Sequence, residues 1–100
     1  MSSFGLPEDA LQKICALFQA HSNISEAILF GSRAKGNFRN GSDIDIALKG
    51  AKIGLRTLTL ISEAYQKLFL PWKLDLVIYE TIENQELKEH IDRVGIKICS

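Results

Sequence analysis

Several features that would steer a reading are scarce in this sequence. Its one hundred residues include only two prolines, two cysteines, two histidines, one tryptophan and one methionine. No stretch approaches the eighteen or so consecutive apolar residues of a membrane-spanning helix, so no membrane segment is expected. The N-terminus has neither the basic start nor the apolar run of a secretory signal, which makes the cytoplasm the expected location. Twelve basic residues are cancelled by twelve acidic ones. A domain that grips a nucleic-acid backbone over a long footprint carries a basic excess, so general DNA or RNA binding is not expected. A nucleotide held together with a metal remains allowed, because there the cation supplies the charge. Cys15 and Cys99 form no metal-type pair, and without a secretion signal free thiols are expected in preference to a Cys15–Cys99 disulfide. His21 and His90 stand alone and read as surface or helix-end residues.

The length suits one domain, expected to span residues 1–100. Leu6-Pro7-Glu8-Asp9 reads as a helix entrance, and Leu11, Ile14, Cys15 and Phe18 repeat at helical spacing up to about His21. Ala27-Ile28-Leu29-Phe30 is too short for a helix and stops at Gly31, which predicts a buried strand. Between Gly31 and Gly36 there is room for about one helical turn, with Ser32 as its N-cap. Asn40-Gly41 marks a tight turn. From Asp43 to Leu48 the pattern alternates, with Ile44, Ile46 and Leu48 on one face and Asp43, Asp45 and Ala47 on the other. Leu58, Ile61, Tyr65 and Leu68 predict a second long helix ending before Pro71. Leu74–Tyr79 predicts a third strand; Leu87, Ile91 and Val94 mark a last helix, with Gly95 at its C-terminal end and Ile96–Ile98 as an extended tail. The order is α-β-(short α)-β-α-β-α. That alternation predicts an α/β (α+β) fold, a small mixed β-sheet flanked by helices.

Such sheets place ligands at strand ends and in the turns that follow. Asp43 and Asp45, two apart on a strand, project from one face roughly 6.5–7 Å apart. If the third strand lies beside the second, Asp75 joins them. Three ionised carboxylates repel one another, and a divalent cation removes that penalty. All-oxygen ligands suit Mg2+ or Mn2+ better than zinc, and two such ions about 3.5–4 Å apart suit an in-line phosphoryl displacement. Gly31 lets backbone approach a ligand closely, and Ser32 adds a hydroxyl and a helix start, whose free amides attract phosphate. Arg33, Lys35 and Arg39 give this loop local positive charge inside a neutral chain. Each fragment alone has a plainer meaning: a solvated sheet face, an ordinary strand-to-helix turn, surface cations. Asp75, placed in the apolar run Leu74–Ile78, is what makes the combination point to a site, since burying an unpaired carboxylate is costly.

Gly31-Ser32-Arg33-Ala34-Lys35-Gly36, then Ser42-Asp43-Ile44-Asp45, then Asp75 on a later apolar strand resemble the nucleotidyltransferase signature of the DNA polymerase beta superfamily, and most closely that of its minimal nucleotidyltransferases. The resemblance implies transfer of a nucleoside monophosphate, AMP by expectation, from a nucleoside triphosphate, with pyrophosphate leaving. It implies that Asp43, Asp45 and Asp75 are catalytic and bind two Mg2+ or Mn2+ ions, and that Gly31, Ser32, Arg33, Lys35 and Ser42 hold the nucleotide. Larger relatives add domains for the acceptor, and none is visible after Tyr79. The implied acceptor is therefore a hydroxyl on a partner, a small helical protein of the HEPN type, with this chain as the antitoxin of a toxin–antitoxin pair. The alternative is a nucleotide-binding subunit that neutralises its partner by complex formation alone. Phe38, Trp72 and Phe69 are candidate contacts for that partner, with Trp72 and Phe69 equally candidates for the core.

Overall fold

Chain direction reverses almost at once in the computed structural model, which describes residues 2–99. Phe4 and Gly5 both adopt positive φ, 59° and 74°, and fold strand β1 (Ser2–Ser3) back on strand β2 (Leu6–Pro7) as an antiparallel ribbon. Nothing in the apolar pattern predicts this ribbon. Helix α1 (Glu8–Gln19) follows, with Pro7 in the N-cap position rather than inside the first turn, and buries Ala10, Ile14 and Phe18.

Strand β3 (Ile24–Phe30) starts three residues before the apolar run that predicts it. The extra residues are recruited by pairing, since Ile24 and Glu26 lie opposite Gly50 and Lys49. A single turn, α2 (Ser32–Lys35), has Gly31 as its N-cap, and Ser32 is its first helical residue rather than its cap. Strand β4 (Ile44–Gly50), helix α3 (Leu55–Gln66) and strand β5 (Leu74–Ile78) come next. Tyr79 already belongs to a 3-10 turn, Tyr79–Thr81, so the third predicted strand ends one residue early. Helix α4 (Gln85–Val94) is capped by the Asn84 side chain, which accepts from Leu87 N at 3.1 Å, and ends at Gly95 as expected. The expected tail is strand β6 (Ile96–Ile98), paired antiparallel with β3 through Ala27↔Ile98 and Leu29↔Ile96.

The main sheet runs β5-β4-β3-β6, parallel between β4 and β5 and antiparallel elsewhere. The α/β class with a small mixed sheet flanked by helices is the one the alternation predicts. Strand period divides the side chains between two cores. Leu29, Ile44, Ile46 and Leu48 face α1 and α3, where Ile14, Phe18 and Ile61 complete the larger core. Ile28, Phe30 and Ala47 face the other way and meet Ile91 of α4. Each fully buried leucine or isoleucine contributes about 1.5–3 kcal/mol, so the α1/α3 face holds most of the stabilising burial. The α4 face is only partly covered.

Cys15 of α1 and Cys99 are joined as a disulfide, with Cα atoms 5.2 Å apart. This corrects the expectation of free thiols. That expectation rested on compartment; the pairing of β6 with β3 returns the end of the chain to the face that α1 covers, and puts the two cysteines within reach. Among the described residues no helix is long and apolar enough to cross a membrane.

Candidate active site

The two neighbours of β4 set the frame, β3 antiparallel and β5 parallel. β3 ends at Phe30, whose register partner on β4 is Asp45, and β5 places Asp75 beside Asp45 from the other side. Register partners project to the same side of a sheet, so Asp45 and Asp75 share the face opposite α1 and α3. Asp43 lies just ahead of β4 and is exposed. Its charge still reaches Asp45. Burial first, then the charges of Asp75 and Asp43, push the Asp45 carboxyl above the usual carboxylate range, while His90 opposes the shift. The three carboxylates identified in the sequence therefore interact in the folded chain.

Asp75 is less buried than its apolar neighbours imply. β5 is the edge of the sheet and each of its residues is only half-buried. The Asp75 side chain is 44% exposed, with Lys73 Nζ 3.8 Å from its Oδ1. Solvent and a neighbouring cation thus carry most of the cost of its charge, and the desolvation argument made from the sequence does not apply to it.

Among the described residues no three His, Cys, Asp or Glu side chains are gathered into a ready-made ion site. The donor chemistry nonetheless fits a hard divalent cation: all oxygens, from adjacent strand ends, around a carboxylate raised first by burial and then by the charges of Asp75 and Asp43.

Gly31 lies against this cluster. Its backbone, at φ 75° and ψ −158°, sits in a region essentially reserved for glycine. A Cβ built there would overlap Asp45 Oδ2 and lie 3.3 Å from Asp45 Cγ. The absent side chain is what lets the turn and the carboxylate share one place. Gly31→Ala is expected to cost about 1–3 kcal/mol from backbone conformation and to displace Asp45. Urea unfolding checks the first effect. Adding Asp45→Ala should recover part of any loss due to the collision, and a double variant as unstable as the sum of its parts would show no such contact.

The Gly31 N–H donates to His90 Nε2 at 3.2 Å, across 59 residues of sequence. His90 stands edge-on to Phe30, with ring centroids 6.1 Å apart and planes at 80°. Sequence reasoning places His90 on the surface and misses this contact. The available signal was its position next to Ile91, whose burial under β3 turns that part of α4 toward the strand end.

Two of the residues expected to hold the nucleotide are engaged with the loop before Asp43. Arg33 is 1% exposed, and its guanidinium donates to Phe4 O at 2.8 Å, to Ser42 O at 3.1 and 2.8 Å through Nε and Nη2, and to Asn40 O at 3.4 Å. Phe38 and Trp72 flank it, their ring centroids 5.3 and 5.8 Å from Cζ. Burial lowers its pKa, yet the group remains a cation at neutral pH. Arg33 is a buried clamp on the loop before Asp43 rather than a solvated surface cation. Ser42 is the other side of that clamp: its carbonyl takes the Arg33 fork and its hydroxyl accepts from Arg39 N at 2.8 Å. The carbonyls of Phe4, Asn40 and Ser42 converge where the N-terminal ribbon meets the loop, and the guanidinium answers all three. Trp72 is drawn into the same assembly, donating from Nε1 to Asn40 O at 3.1 Å while its own carbonyl accepts from Tyr65 OH at 2.7 Å. Lys35 is exposed on α2, and of the three aromatics weighed as partner contacts Phe69 stands out at 91% exposure.

The structure thus brings Gly31, Asp45 and Asp75 together with Asp43 beside them and Ser32 next in the chain, and turns Arg33 and Ser42 into the supporting loop. The backbone is similar to that of a chain in the crystal structure of a toxin–antitoxin with AMP-PNP, at a TM-score of 0.72 and 22% identity over 87% of this chain and 70% of that one. It is also similar to a chain of the toxin–antitoxin MntA–HepT (TM-score 0.67, 19% identity, 91% and 70% covered). A third likeness is to a structure of the tri-AMPylated Shewanella oneidensis HEPN toxin in complex with MNT antitoxin (TM-score 0.61, 18% identity, 90% and 69% covered). At these identities the likeness is one of fold. No curated protein matches the chain in sequence. The family model described as polymerase beta, nucleotidyltransferase matches residues 12–100, and the chain belongs to that family.

Proposed function

We propose that this chain transfers AMP from ATP to a hydroxyl on a small helical protein of the HEPN type, as the antitoxin of a toxin–antitoxin pair. The observation that carries the reading is one juxtaposition. Asp45 is in register with Asp75 on the neighbouring strand, and the positive-φ turn at Gly31 lies against the Asp45 carboxylate. Carboxylates able to hold cations and a turn able to receive phosphate therefore meet at a single strand end. In the reaction the acceptor oxygen bonds to the α-phosphorus of the nucleotide, the bond to the bridging oxygen breaks, and pyrophosphate leaves. Asp43, Asp45 and Asp75 are placed to hold two Mg2+ or Mn2+ ions, which when bound would neutralise developing charge and acidify the acceptor hydroxyl. Gly31 and Ser32 receive the outer phosphates, and Lys35 adds positive charge from the exposed side of α2. Asp75, half-exposed at the sheet edge, takes a cation-binding role.

Support for the partner comes from the fold shared with chains of complexes described as toxin–antitoxin, one of them with an AMPylated HEPN toxin. The test is incubation with α-labelled ATP, Mg2+ and a HEPN-type protein. Label is expected on that partner and only when this chain is present. A partner that stays unlabelled at stoichiometric enzyme would overturn the transfer.

A further inference from the structure

The Gly31 amide has a single hydrogen, and it points at His90 Nε2. That nitrogen accepts from the Gly31 N–H in this arrangement. A hydrogen directed at an imidazole nitrogen is not free for a phosphate oxygen. The ring is braced by its edge-on contact with Phe30. The helix beneath it is braced as well, by Ile91 at 2% exposure and by Tyr79 OH donating to Asp92 Oδ1 at 2.6 Å. With α4 held at both points, rotation of the His90 side chain would free the amide without moving the helix.

We infer that His90 and an outer phosphate oxygen of the nucleotide compete for the Gly31 N–H, so that the imidazole must turn away before the phosphate seats. The inference rests on the nucleotide reading above and adds a residue to it. His90 occupies the phosphate's place on the amide and weakens nucleotide binding by about the weight of one ordinary hydrogen bond, roughly fivefold. A residue that merely positioned Gly31 would act in the opposite sense, since its removal would loosen the turn and weaken binding.

Calorimetric titration with AMP-PNP and Mg2+ separates the two. His90→Phe keeps a ring against Phe30 but has no acceptor, and is expected to bind about fivefold more tightly than wild type. His90→Gln restores an acceptor at similar reach and is expected to return affinity toward wild type. In the unmodified protein, the Gly31 amide and His90 Nε2 resonances should report their hydrogen bond before titration and its loss at saturation. That measurement stands even if a variant folds poorly. Equal or weaker binding by His90→Phe, or a Gly31–His90 bond that survives saturation, would overturn the inference while leaving nucleotide binding intact. Failure of wild type and both variants to bind AMP-PNP would instead remove the nucleotide reading, and the inference with it.

Discussion

Asp43→Asn combined with Asp45→Asn is expected to lower nucleotidyl transfer by about 10^3-fold or more, the scale on which removal of electrostatic stabilisation is felt, and to leave the fold standing. The stability half of that outcome follows from the Asp45 carboxyl, raised by burial and by the charges of Asp75 and Asp43. A group with a raised pKa binds its proton more tightly in the folded chain than in the unfolded one. Its stabilising contribution is therefore complete below the ordinary carboxylate pKa of about 3.9 and is lost as pH rises through the raised value. At neutral pH the ionised carboxylate is a liability that asparagine does not carry. Asp45→Asn alone should thus melt a few degrees above wild type at pH 7, with solvent screening keeping the gain small, and the gap should close toward pH 4. Mg2+ with AMP-PNP should reverse the order, because only wild type gains the linkage stabilisation of bound ligand. A double variant that still labels the partner would place the metals elsewhere. One that fails to label but still silences the partner would favour neutralisation by complex formation alone.

The acidic and glycine positions were legible because their signals are local. Alternation from Asp43 to Leu48 sets strand and face together, and Gly31 ends an apolar run that could only be a strand. What those signals could not carry was environment. The apolar setting of Asp75 suggested burial, but whether Leu74–Ile78 is central or an edge is decided by strand order, which no stretch of sequence records. The surroundings of Arg33 and His90 are hidden from the sequence for a related reason. The carbonyls that draw Arg33 inward come from Phe4, 29 residues away, and from Asn40 and Ser42 across a turn. The amide that engages His90 is 59 residues distant. The Cys15–Cys99 pairing spans 84 residues and depends on β6 joining the sheet. In each case a charged or reactive side chain with an ordinary local context was given its role by a backbone arriving from elsewhere.

Arg33 provides the second large effect, and here stability leads. Arg33→Ala removes four N–H···O contacts, the 2.8 Å bonds to Phe4 O and Ser42 O among them, and leaves the Phe4 and Ser42 carbonyls without their donor, while Asn40 O keeps the Trp72 Nε1–H. Hydrogen bonds from a charged group contribute about 1.5–3 kcal/mol each, but Asn40 is exposed and water can replace part of what is lost. A net loss of about 3 kcal/mol is expected, which for a chain of this size lowers Tm by roughly 12–24 °C. Arg33→Met keeps the aliphatic stem between Phe38 and Trp72 and should lose nearly as much, since the donors are what the carbonyls need. Arg33→Lys keeps charge but not the fork that engages Ser42 O through two nitrogens, and should fall between. Thermal unfolding followed by circular dichroism orders the three. Transfer activity should fall in the same order at temperatures where each variant is folded, because the loop that Arg33 clamps leads directly into Asp43. If Arg33→Ala instead melted within a few degrees of wild type and lost AMP-PNP affinity, the guanidinium would belong to the nucleotide after all, and the loop would owe its shape to Trp72 and Ser42.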